Sequence, residues 1–207
     1  MVDSQRGAKM SGKRTLNSAA IRERLYIAAA EIVAKAGFAG ASISRITERA
    51  GIAQGTFYNY FETREAIFDD MIVIFGKKLR SHIRSRVGDI QDFYERERVA
   101  FEAFFEFLYA NPFFSRVLNE AEIFTPDSHR QYFESILKGY RKELTRAAQE
   151  DQIRKLTATE IEVLSLMLMS ARAYFALHYF NQIREKRKLN KNITDAYMTV
   201  VRGSLSK

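Results

Sequence analysis

The chain has 207 residues, is 46% hydrophobic and 13% aromatic, and carries a formal net charge of +8 without a single cysteine. That length suits one or two domains with a sizeable core. The missing cysteines exclude disulfide scaffolds and cysteine-based zinc sites and fit a reducing cytoplasm, where the chain is expected. His82, His129 and His178 lie far apart without ligand spacing, so neither a metal nor a cofactor is expected.

Residues 1–64 hold ten Lys/Arg against five Asp/Glu. A compact basic module at one end suits a polyanion, either nucleic acid or an anionic membrane surface. A solvated basic surface has the same charge. The first twenty residues are polar and show no secretory h-region. Residues 1–17, with Arg6, Lys9, Lys13 and Arg14, read as a flexible basic tail.

Apolar residues then recur at helical spacing almost everywhere, and strand signals are weak, so the chain is expected to be all-α. Helix 1 spans about 18–36, with Ile21, Leu25, Ala28, Ala29, Ile32 and Val33 on one face and Gly37 as its stop. Ser42 suits the N-cap of helix 2, which turns Ile43, Ile46 and Ala50 inward and ends at Gly51. Helix 3 covers about 54–60. Thr63 caps a long helix 4 that reaches about Val87. Further helices are expected near 90–110, 111–123, 126–150, 158–187 and 194–204. Pro112 and Pro126 fall where a first turn tolerates proline. Thr157 and Glu160 make the capping-box pattern Thr-x-x-Glu.

Two short helices around Ala50-Gly51-Ile52, the second under three turns long, have the proportions of a helix-turn-helix. Phe57 and Phe61 share the face that packs inward. The other face shows Gln54, Thr56, Tyr58, Asn59 and Tyr60. Gln and Asn pair with adenine edges, while hydroxyls suit phosphate oxygens. Gly55 allows close backbone approach. By periodicity alone, a polar solvent-facing helix of an ordinary bundle fits equally well.

The combination Ala50-Gly51-Ile52, Gly55-Thr56-Phe57-Tyr58, Tyr60-Phe61 and Arg64 resembles the DNA-binding domain of the TetR family of bacterial regulators, over about residues 20–70. The resemblance implies a three-helix DNA-binding domain over 18–64 and a helical ligand-binding and dimerisation domain over 65–207. It implies a homodimeric repressor that holds double-stranded DNA at a near-palindromic operator and leaves it when a small-molecule inducer binds. Thr56, Tyr58 and Tyr60 would then meet phosphates or adjacent edges, Gln54, Gly55 and Asn59 would face bases, and Ser42 and Ser44 would meet the backbone or an outer base. Arg64 stands where the family usually has lysine, and either residue can hold a phosphate.

Beyond residue 70 only length and helical layout agree with the family. Aromatic residues crowd this part, including Phe104, Phe105, Phe114, Tyr174 and Phe175. They fit a plain core, or together with His178 they fit the wall of an apolar cavity. The helix near 158–187 is apolar on two faces, one carrying Ile161, Leu164, Leu168, Phe175 and Tyr179, the other Val163, Leu166, Met167, Ser170, Ala173, Leu177 and Phe180. The apolar run Val163–Phe180 is interrupted by Arg172, which would cost about 2.5–3.5 kcal/mol at a bilayer centre. It is therefore read as a buried helix, with no membrane partner. Arg172 and Glu120, with Glu122 beside it, are charges in apolar surroundings that must be paired. Either they close an internal ion pair or they meet the polar end of an inducer. No phosphate loop, nucleophile elbow or clustered catalytic set is present, so no enzyme is expected.

Overall fold

The computed structural model describes the backbone of residues 3–186 and 189–207, and the side chains of 18–179 and 189–207. The expected basic side chains of the N-terminal segment, and Phe180, lie outside the described side chains. Among the described residues every regular element is helical: α1 (Asp3–Ala36), α2 (Ile43–Ala50), α3 (Gln54–Phe57), α4 (Arg64–Val87), α5 (Phe93–Ala110), α6 (Pro112–Phe124), α7 (Pro126–Gln149), α8 (Ala158–Lys186) and α9 (Lys191–Leu205). Contacts divide the chain into two units, Met1–Met71 and Ile72–Lys207. The division falls inside α4, seven residues beyond the boundary expected at its start.

The first unit is built on glycine-terminated helices. Gly37 (φ 71°) ends α1, where its N–H donates to Val33 O at 2.9 Å. Residues 3–17, expected to be a tail, are the first turns of α1. No proline interrupts them, and a glycine in a helix costs only about 1 kcal/mol relative to alanine. Ser42 caps α2, accepting from Arg45 N at 3.3 Å. Leu25, Ala29, Val33, Ile46, Phe57 and Ile67 are completely buried. The rings of Phe38 and Phe68 meet at 4.3 Å and those of Phe57 and Phe61 at 5.5 Å.

α3 stops at Phe57, one turn short of its expected end. The chain tightens there into three-residue bonds, Asn59 N to Thr56 O at 3.2 Å and Tyr60 N to Phe57 O at 2.9 Å, as helix ends often do. Thr63 caps α4 as expected, its Oγ1 accepting from Ala66 N at 3.1 Å.

In the second unit, α5 carries the densest aromatic stretch. Phe101 stacks on Tyr197 of α9 at 4.0 Å and meets Phe175 of α8 edge-on at 5.8 Å. Phe114 of α6 meets Tyr132 of α7 at 6.1 Å. Gly76 of α4 matters for that layer, because a Cβ there would come within 2.8 Å of the Tyr132 ring. α8 has the length and apolar composition to cross a membrane. It packs against α5, α6 and α7, and its Arg172 is paired inside the protein.

The capping box before α8 forms in full. Thr157 N donates to Glu160 Oε2 at 2.7 Å, and Glu160 N donates to Thr157 Oγ1 at 3.2 Å. The Thr157 backbone N–H, reinforced by the Arg154 guanidinium, holds the Glu160 carboxyl down to about 2 from an ordinary 4.5. A carboxyl depressed in the folded state stabilises that state fully above its ordinary value, and the contribution disappears as pH falls through the folded value. A side-chain NMR titration of Glu160 should therefore show a midpoint near 2. A midpoint near 4.5 would mean that the box does not hold in solution.

Candidate nucleic-acid interface and ligand cavity

The turn between α2 and α3 depends on backbone shape. Gly51 sits at φ 63°, in the left-handed region, and its N–H closes α2 onto Glu48 O. Arg24 of α1 donates to the carbonyls of Ala50 and Gly51, bracing the turn from below. A Cβ on Gly51 would be strained by that φ and would stand 3.1 Å from the Arg24 guanidinium. Phe57 is completely buried and Phe61 nearly so, which fixes the rotation of α3 about its axis.

With Phe57 turned in, Ser42, Ser44, Gln54, Gly55, Tyr58 and Asn59 are exposed. Thr56, Tyr60 and Arg64 are half-buried. The space around Gly55 is open, with no atom within 4 Å of a Cβ placed there. Arg64 lies 4.4 Å over the Phe38 ring and bonds Glu65 at 2.9 Å. An incoming phosphate must compete with that carboxylate. Arg45, absent from the expected set, is exposed between Ser42 and the turn and donates to Gly40 O at 2.7 Å.

The second unit holds a cavity of about 410 Å³ that is partly open to solvent. Its wall is largely apolar, with Leu79, Ile83, Phe104, Leu118, Ile136 and Met169 among the lining residues. Of the eight residues expected to hold a ligand, Phe104 and Arg172 line it and the other six do not. Phe105 and Phe114 are buried in aromatic packing. Phe175 joins the Phe101–Tyr197 cluster. Tyr174 is 72% exposed and His178 is also exposed, because both fall on the outer side of α8. Glu120 binds Arg116 one turn away on its own helix at 2.8 Å, and Glu122 is exposed.

Arg172 is paired, but with Glu97 of α5 at 2.8 Å rather than with an α6 glutamate. The Tyr197 hydroxyl donates to the same carboxylate oxygen at 2.6 Å. Burial alone would lower the Arg172 pKa, but the adjacent Glu97 carboxylate outweighs this and raises it. Burial pushes the hydroxyls of Tyr140 and Tyr197 well above the usual tyrosine value. Tyr140 and Glu97 both line the cavity, and neither is among the eight residues expected to hold a ligand. The Tyr132, Ile136, Tyr140 and Leu144 stripe, one residue per turn of α7, is the pattern that marks that wall.

A glycine-turned helix-turn-helix on a three-helix core, followed by an all-helical unit with an apolar cavity, defines a helix-turn-helix protein with an appended helical domain. Residues 25–71 match the family model described as bacterial regulatory proteins, tetR family. Over these residues the chain is similar to the TetR family. It is similar to the uncharacterized HTH-type transcriptional regulator YdgC of Bacillus subtilis, 36% identical over 91 residues, which are 42% of this chain and 47% of the relative. The match thus spans under half the length of the curated relatives. Two solved structures share the fold. A putative fatty acid metabolism regulator of Clostridium perfringens is 21% identical, covering 84% of this chain and 94% of that one with a TM-score of 0.68. The regulator FadR of Bacillus subtilis, in complex with stearoyl-CoA, is 18% identical, covering 86% and 96% with a TM-score of 0.70.

Removing one partner of a buried ion pair leaves an uncompensated charge, at a cost of about 3–5 kcal/mol. Glu97→Ala should lower the unfolding free energy in urea by that amount. Arg130→Ala, which breaks an exposed pair with Asp127, should leave the midpoint in place.

Proposed function

We propose that the chain is a sequence-specific transcriptional regulator, a cytoplasmic homodimeric repressor that is released from a near-palindromic operator by a small apolar or amphipathic ligand. The carrying observation is the α3 surface. A family-matched helix buries Phe57, and it leaves Gln54 and Gly55, with Tyr58 and Asn59 on the turn that follows, exposed toward a duplex. In this reading Gln54 and Asn59 meet base edges, Gly55 lets the backbone approach, and Thr56, Tyr58 and Tyr60 hold phosphates. Ser42 and Ser44 reach the backbone at the start of α2, and Arg64 reaches a phosphate at the start of α4.

Dimerisation is supported by an apolar stripe that this protomer leaves uncovered. Val163, Leu166, Met167, Tyr174 and Leu177 recur along one side of α8, and Val200 of α9 is 67% exposed. The cavity supports ligand control. A volume of about 410 Å³ falls in the range of small-molecule sites. Leu79, Ile83 and Val87, which line it, lie on α4, the helix that begins in the DNA-binding unit at Arg64. A ligand that favours the released conformation shifts the equilibrium through that helix, typically by about 1–3 kcal/mol of coupling.

Tyr58→Ala should weaken operator binding about tenfold or more in a fluorescence-anisotropy titration, the scale of one lost hydrogen bond to a charged group, with the circular-dichroism melt unchanged. Unaltered affinity in the folded variant would remove α3 from the interface. Met167→Glu should give monomers in sedimentation and, at matched concentration, loss of full-operator binding. A dimer surviving that charge would relocate the subunit contact.

A further inference from the structure

Polar groups occur around the cavity, but Arg80, Arg84, Ser115, Asn119 and Ser135 belong to residues that are exposed or half-buried. Tyr140, only 8% exposed, and Arg172, with an 11% exposed side chain, both line it. The Arg172 guanidinium carbon lies 5.1 Å from the Tyr140 ring centroid, so the two groups are neighbours. Among the described residues neither the Tyr140 hydroxyl nor the Arg172 Nε–H has a hydrogen-bond partner. Nε–H is a donor only. The Tyr140 hydroxyl stays protonated, since burial raises its pKa. Donors buried without partners are costly, and an acceptor that meets them recovers the cost.

The charge at this spot is already balanced. Glu97 takes the Arg172 cation at 2.8 Å, and the Tyr197 hydroxyl adds to the same oxygen. The neighbouring Arg96, also in the lining, is matched by Glu143 at 2.8 Å. A second carboxylate pushed in beside Glu97 would be a buried, unmatched negative charge. A neutral acceptor satisfies the donors without that penalty.

Resting on the ligand-binding reading above, we infer that the cavity selects a ligand whose inner polar group is an uncharged hydrogen-bond acceptor, the carbonyl of an ester, thioester, amide or ketone on an apolar body, held by Tyr140 and Arg172. A free carboxylate of the same body is disfavoured there. Apolar residues such as Ile83, Phe104 and Met169 take the body.

The test is a calorimetric titration of the full chain at neutral pH with n-decane, methyl decanoate and decanoate, repeated on Tyr140→Phe. The ester should bind about tenfold or more tightly than decanoate, the scale of one well-made hydrogen bond. Tyr140→Phe keeps the ring and the packing. It should reduce the ester's affinity toward that of decane while leaving decane unchanged. Decanoate binding as tightly as the ester, or an ester affinity indifferent to Tyr140→Phe, would overturn the inference while leaving the cavity as an apolar ligand site. Saturable binding by none of the three would overturn the ligand-binding reading itself, and the inference with it.

Discussion

The second unit is organised around a charge that has to be neutralised. Arg172 sits in the middle of an apolar helix and is almost wholly enclosed. It can stay there only because Glu97 of α5 meets it at 2.8 Å and Tyr197 of α9 completes the carboxylate's coordination at 2.6 Å. That cluster ties α8, α5 and α9 at one level, and the stacking of Phe101 on Tyr197 continues it into the core. Of that cluster, Arg172 and Glu97 also line the cavity. Stability and the shape of the cavity wall therefore share that ion pair, and neither can be altered there without affecting the other.

The first unit answers to a different constraint, the shape of a short backbone turn. Gly51 in the left-handed region and the Arg24 clamp fix the angle between α2 and α3. The burial of Phe57 then decides which side of α3 faces outward. A four-residue helix has little intrinsic stability, so its orientation comes from packing rather than from propensity. This arrangement presents a rigid polar surface on a small scaffold, and the TetR-family match falls on the residues that build it.

A regulator of the kind proposed needs its two activities to be separable but coupled. The structure provides separate units with separate cores, and α4 contributes residues to both. Gly76 brings α4 close to Tyr132, beside the cavity, where bulk on either helix would alter the other's position.

Much of this was legible in the amino-acid order. Helical periodicity placed α4 to α8 within a few residues. Ser42, Thr63 and the Thr157–Glu160 pair marked helix starts, because capping is a local exchange between a side chain and a backbone N–H three residues away. The polar surface of α3 and the turn after it was readable from the four-residue spacing of Phe57 and Phe61, both of which are buried. The cavity was not readable in the same way. Aromatic content cannot separate Phe104, which lines it, from Phe105, which is buried one position further along α5. Nor can spacing along one helix tell which glutamate will reach Arg172, since Glu97 is 75 residues away. The sequence by itself determined the helices, most of their ends and the polar surface around α3, because these follow from contacts within a turn or two of chain. Only the tertiary structure decided the ion-pair partner, the outward turn of Tyr174 and the cavity wall, because these depend on how helices distant in sequence are rotated against one another.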